Sequence, residues 1–212
     1  MAAIAVVNGI ASIDETRCVE CEVCVRTRIC SRGALEPETD LEWPRSIRSI
    51  FSNPVSEYGA TGCTGRGTEE MKTNDVTNRF GPGEVGIAID VGRPNVGVRL
   101  REVDKLSRAV AAVGVSFEPA NPLTALMVDE QAGILKDEIL DEMVLSAIVE
   151  VKVPLEKVTD VLEAIRRVES DIRTVFTVGI ICRVSDDCSV PVVPKLMQHG
   201  WTVRPNGKTN IG

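Results

Sequence analysis

Cys18, Cys21 and Cys24 recur at every third position, and Cys30 follows after five intervening residues. Gaps of two residues let a tight loop turn several sulfurs toward one point. A cubane iron–sulfur cluster asks for that arrangement, because each iron presents one outward valence to a thiolate. Zinc also accepts four thiolates, but its usual pattern sets two C-x2-C pairs on either side of a long loop. Three thiols at i, i+3 and i+6 therefore point to a 4Fe-4S cluster rather than to zinc. Disulfides are disfavoured, since no secretory signal is recognisable and the thiols are expected in a reducing compartment, the cytoplasm.

The run Cys18-Val19-Glu20-Cys21-Glu22-Val23-Cys24 has the lead-in Ile13-Asp14-Glu15-Thr16-Arg17 and the exit Cys30-Ser31-Arg32-Gly33-Ala34-Leu35-Glu36-Pro37. It resembles the bacterial ferredoxins of the four-iron type, over residues 4–37. The resemblance implies one-electron transfer to a redox partner, or within a larger redox enzyme. The chain departs from that family in three ways. The family run is C-x2-C-x2-C-x3-C-P, whereas here the last gap is five residues and Ser31 replaces the proline. A second run is missing, and in two-cluster ferredoxins the fourth cysteine of a run serves the other cluster. The fourth ligand is therefore open between Cys30, folding back locally, and Cys63, reaching in from a distance. Cys182, Cys188 or a non-cysteine ligand complete the options, and the cysteines outside the run leave room for a second metal site.

Other residues offer weaker chemistry. Arg26, Arg28 and Arg32 form either a solvated basic stretch or a set of cations that favours a reduced cluster and docks an acidic partner. Gly62-x4-Gly67-Thr68 lacks the lysine of a phosphate loop, so that reading is rejected; an anion nest of glycine-adjacent N–H groups remains. If an iron is left without a cysteine, it can act as a Lewis acid. In that enzyme alternative Arg66, Lys72 and Lys208 hold an anionic substrate. His199, the lone histidine, reads as structural. Cys182 falls in an apolar strand and reads as a small buried hydrophobe, whereas Cys188 reads as a free thiol in a polar turn. Trp43, Tyr58 and Trp201 are scattered and read as interface anchors.

These residues need a scaffold, and the composition can supply one. Apolar residues make up 43% of the 212, enough for a packed core, but aromatics are only 3%, so that core is built from Val, Ile, Leu and Ala. A net charge of -7 argues against a nucleic-acid partner. With no apolar run of 18 residues, no membrane span is expected.

Four regions are expected. Residues 1–37 form the cluster module, built on a hairpin whose turn is Asn8-Gly9, the strongest two-residue hairpin signal. Residues 38–83 form a polar arm or a linker, with a short amphipathic helix over Ser46–Phe51 whose first turn holds Pro44. Residues 84–185 alternate strand and helix. Strands are predicted at 85–91, 115–118, 144–153 and 175–184, with helices at 103–113, stopped by Gly114, and after Pro154. Residues 123–128 read as a short strand or loop, and 134–140 as a helical turn. Residues 186–212 form a tail, with Trp201-Thr202-Val203 as an edge strand. The fold class is α+β: an iron–sulfur hairpin module plus a ferredoxin-like βαββαβ sandwich. By pattern the second half resembles the small regulatory domains of the ACT type. A second functional reading is a small-molecule-binding regulatory module with a redox-sensing or structural cluster, and pairing of sheet edges in the αβ domain would form homo-oligomers.

Overall fold

In the computed structural model, which describes residues 3–64, 66–68, 78–94 and 96–204 with Cys63 in its backbone only, Asn8 and Gly9 both take positive φ, 53° and 79°. They fold strand β1 (Ile4–Val7) onto β2 (Ile10–Ile13), with Val7 opposite Ile10. The cysteine run follows and contains one helical turn, α1 (Val23–Arg26). Helix α2 (Ile47–Ser52) buries Ile47 and Phe51. A short hairpin of two-residue strands, β3 (Glu57–Tyr58) with β4 (Cys63–Thr64), comes next.

The remaining elements are β5 (Glu84–Val91), β6 (Val98–Arg99), α3 (Leu100–Ala111), β7 (Ser116–Phe117), β8 (Met127–Asp129), β9 (Ile134–Leu135), β10 (Met143–Val144), β11 (Ala147–Pro154), α4 (Val158–Val168), β12 (Phe176–Cys182) and α5 (Val192–Gln198). The class is α+β. Four strands form one sheet in the order β12-β5-β11-β7, every neighbour antiparallel. The connection from β5 through α3 to β7 therefore passes over β11, and that from β11 through α4 to β12 passes over β5.

One face of this sheet is made by the alternation in β5: Val85, Ile87, Ile89 and Val91 are buried against α3 and α4. Leu100, Val103, Leu106 and Val110 supply the stripe of α3; Val158, Val161, Leu162 and Ile165 supply that of α4. Burying one such side chain stabilises by about 1.5–3 kcal/mol. These stripes, rather than surface ion pairs, set where the helices lie.

The opposite face is covered as well. Its β11 residues are Ile148, Glu150 and Lys152, registered against Asp90, Ala88 and Gly86 of β5. Arg66 pairs with Asp90 at 2.8 Å, and the Thr68 N–H donates to Glu150 at 2.9 Å. Lys152 Nζ donates to the Arg79 carbonyl at 3.2 Å, while Phe80 packs on Ile181 and Ala88. In these described residues the polar arm lies on the sheet.

Several local readings change. The strand expected at 144–153 is two strands. It breaks at Leu145 and Ser146, where the Leu145 N–H donates to Ser52 Oγ and Ser146 Oγ accepts from Arg66, so that β10 leaves to pair with β6. Pro44 lies in a turn ahead of α2, after a cis peptide, and not in its first turn. Residues 134–140 contain a strand and a 3-10 turn. A 3-10 turn also separates Pro154 from α4. Trp201–Val203 is not a strand: the Trp201 N–H donates back to the Leu196 carbonyl and closes the end of α5.

Candidate metal centre in the cysteine loop

The hairpin delivers the chain to Cys18 through a local turn. Asp14 Oδ1 accepts from the Thr16 N–H at 3.0 Å and from Thr16 Oγ1 at 2.6 Å, and the Asp14 carbonyl accepts the Cys18 N–H at 2.9 Å. Cys21 is then bracketed by two left-handed residues, Glu20 at φ 54° and Glu22 at φ 53°. A non-glycine residue costs about 1–2 kcal/mol in that conformation. Residues of mixed hand turn successive N–H groups toward one side, which makes the concave backbone nests that bind anions and iron–sulfur centres. Cys24 lies in α1, directly after this bend.

Two arginines hold the bend in place. Arg45 contacts Glu20 Oε1 through Nη2 at 2.8 Å and Nε at 3.0 Å, and Glu15 through Nη1 at 3.1 Å. Arg48 donates to the carbonyls of Glu15 and Cys18, at 2.6 and 2.8 Å, while its Nε pairs with Glu142. Arg26, inside the loop, donates to Asn53 Oδ1 at 2.7 Å. The loop is thus tied to α2 and the turn before it by charge-assisted bonds, the stronger kind.

The four thiols of the run are half-buried and free, and Cys18 and Cys30 are shifted in opposite directions. Burial pushes the Cys18 thiol above its ordinary range, with the Glu20 charge adding to that effect. Cys30 is held below the ordinary range by the N–H groups of Ala34, Arg32 and Gly33, the first 3.4 Å from its sulfur. Hydrogen bonds to sulfur favour the thiolate, the form that binds metals.

Among the described residues, no three Cys, His, Asp or Glu side chains form a group that could hold a metal ion. The loop brings Cys18, Cys21, Cys24 and Cys30 onto one short segment without closing them into a ligand set. Cys63 lies in β4 opposite Tyr58, and its side chain is outside the described residues. By the chemistry of the donors, four thiols with one already facing N–H groups, this segment fits a thiolate-bound cluster in kind.

The other expected residues are dispersed. Arg66 is engaged by Asp90 and by Ser146 Oγ at 2.9 Å, and burial pulls its guanidinium down from its usual range. Lys72 and Lys208 lie outside the described residues. Arg28 and Arg32 are exposed. His199 Nδ1 sits 2.9 Å from the Lys195 carbonyl at the end of α5. Cys182 is half-buried, which pushes its thiol up, and Cys188 is exposed. Trp43 donates to Glu138 at 3.2 Å under the Lys136 ammonium.

Sequence reasoning missed the residues that position the loop: Glu20, Arg45, Arg48 and Glu142. A glutamate between two cysteines and two arginines spaced i, i+3 ahead of an apolar turn were the available signals. It also missed Glu150, 1% exposed. The Gly67-Thr68 nest receives this internal carboxylate, and a Cβ at Gly67 would stand 2.9 Å from Glu150 Oε1.

Among the described residues, no helix is long and apolar enough to cross a membrane. Comparison of the chain with protein-family models, with curated proteins and with solved structures finds no match.

Proposed function

We propose that the protein carries a 4Fe-4S cluster on Cys18, Cys21, Cys24 and a fourth ligand, Cys30 ahead of Cys63, and passes single electrons to a redox partner as a subunit of a larger redox enzyme. One observation carries this reading: three thiols at every third residue, on a loop whose fourth thiol already accepts backbone N–H groups. When bound, the cluster supplies a centre that takes up and releases one electron.

The chain's own residues do the rest. Arg45 and Arg48 hold the loop against α2, so Cys18 and Cys21 start from a fixed base. The Ala34, Arg32 and Gly33 N–H groups stabilise negative charge on the Cys30 sulfur. Exposed Arg28 and Arg32 place positive charge beside the thiols, which favours a reduced centre and an acidic docking surface. The strand order β12-β5-β11-β7, with two interleaved crossovers, supports reading residues 84–185 as a split βαβ, ferredoxin-like sandwich. The many free thiols support a reducing compartment, the cytoplasm.

The test is spectroscopic. Protein reconstituted anaerobically with iron and sulfide is expected to show broad thiolate-to-iron absorption that bleaches with dithionite and returns on oxidation. A colourless protein that takes up only zinc contradicts the proposal.

A further inference from the structure

α4, β12 and α5 line a half-open cavity of about 840 Å³ on the helix side of the sheet. Its walls are apolar, formed by Leu162 and Ile165 of α4, Phe176, Val178 and Ile180 of β12, and Leu196 of α5. β12 is an edge strand, so among the described residues no further strand closes this side. The volume lies within the range of about 300–1,000 Å³ typical of sites for small organic ligands.

Among the described residues its charged groups are Arg166, Arg204 and Glu169, and Thr174 and Thr202 are neutral polar residues of the lining. Arg166 lies over the ring of Trp201, 3.9 Å from its centroid, and its ion pair with Glu163 is long, 3.5 Å, and half-exposed. Arg204 borders the cavity and has no acidic partner among the described residues. Among the described residues Glu169 is the one carboxylate on the lining, against these two guanidinium groups. The Trp201 indole Nε1–H is buried and has no hydrogen-bond partner among the described residues. Burial pushes the Cys182 thiol up, which favours its neutral form.

We propose that this cavity binds a small carboxylic acid with an extended apolar body. The apolar part lies between α4 and β12, and the carboxylate is held at the mouth by Arg166 and Arg204 beside Trp201. A sugar or a polyphosphate would leave most of its polar groups unpaired against these walls. The site is separate from the cysteine loop, and its occupation does not depend on a cluster.

Trp43 and Trp201 are the only tryptophans, so Trp43→Phe leaves Trp201 as the sole indole reporter. Full-length W43F protein is titrated with sodium decanoate below its micelle concentration, with decanol and with acetate. The expected result is a saturable change in Trp201 emission with decanoate, at least tenfold tighter than with decanol, and none with acetate. Adding Arg166→Gln and Arg204→Gln, both on exposed side chains, should bring decanoate to the decanol level while circular dichroism is unchanged. Ile180→Phe, which fills the cavity, should weaken both long-chain ligands. Equal affinity for decanoate and decanol in W43F, or no saturable change with either, overturns the proposal. So does an emission change that follows protein concentration without ligand, which would seat a second copy of the chain there.

Discussion

Arg45 grips Glu20 with two guanidinium nitrogens, at 2.8 and 3.0 Å, and Glu20 stands between the first two cysteines with a left-handed backbone. Glu20 is 8% exposed, and its carboxylate raises the guanidinium above its ordinary range. A residue between the thiols, and not a thiol, therefore anchors the loop to the segment that leads into α2. Arg48 repeats the device one turn later, through the Cys18 carbonyl.

Replacing Arg45 with methionine keeps the aliphatic stem and removes the partner of Glu20. Leaving that acceptor unpaired costs about 1–3 kcal/mol, and the loss should be local. Hydrogen exchange is expected to speed up at residues 18–24 and to stay unchanged in β5 and β11. Unchanged protection in the loop would mean that Arg45 does not hold it.

The Arg48–Glu142 pair should matter to the whole fold, since both side chains are 12% exposed. Removing one partner of a buried pair costs about 3–5 kcal/mol, so Arg48→Leu is expected near the lower end, about 3 kcal/mol, in urea unfolding. Because Arg48→Leu strands the Glu142 charge, adding Glu142→Leu should recover part of the loss. A single-variant loss below about 1 kcal/mol would show the pair to be peripheral.

Gly67 is set against Glu150, and two substitutions probe that contact. Gly67→Ala places a methyl 2.9 Å from the carboxylate and should destabilise by about 1–3 kcal/mol, the usual range for overpacking. Glu150→Gln turns an acceptor into a donor facing the Thr68 N–H and the Asn121 amide, and should cost about 1–3 kcal/mol. Wild-type stability in both variants would remove the nest from the account.

Glu84 and Glu102 should contribute to a loss of stability in acid. Glu84 is lowered by the Gly81 N–H, 2.7 Å away, and by Lys152. For Glu102 burial acts upward, but the Lys105 ammonium and the Arg173 N–H outweigh it, and the net direction is down. A carboxyl lowered by folding stabilises the native state above its unfolded value of about 4.3, and that contribution is lost as pH falls through the folded value. The urea midpoint should be flat from pH 7 toward 5.5 and decline in more acid solution. The Glu84→Gln, Glu102→Gln protein should decline less steeply. An equally steep decline would assign the acid sensitivity to other groups.

Short-range features were legible from residue types. Asn8-Gly9 makes its turn because both positions accept positive φ, and Gly114 stops α3 for the same reason. The alternation of Val85, Ile87, Ile89 and Val91 reads directly as a buried face. What escaped depends on partners far along the chain. β10 and β11 separate because Ser146 meets Arg66, 80 residues away. Glu150 is buried because Thr68, 82 residues away, brings an N–H to it. Trp201 looks like a strand residue, but it folds back on Leu196 and borders the cavity. The cysteine spacing was plain in the sequence, whereas the Arg45–Glu20 clamp that presents it spans 25 positions.

The most direct test of the central claim is an iron and acid-labile sulfide count on anaerobically reconstituted protein, for the wild type and for Cys21→Ser, Cys30→Ser and Cys63→Ser. The account predicts about four irons and four sulfides per wild-type chain. It predicts loss of both in the Cys21 and Cys30 variants and retention in the Cys63 variant. A wild-type chain that holds no sulfide, or an undiminished count in the Cys21 variant, would contradict it.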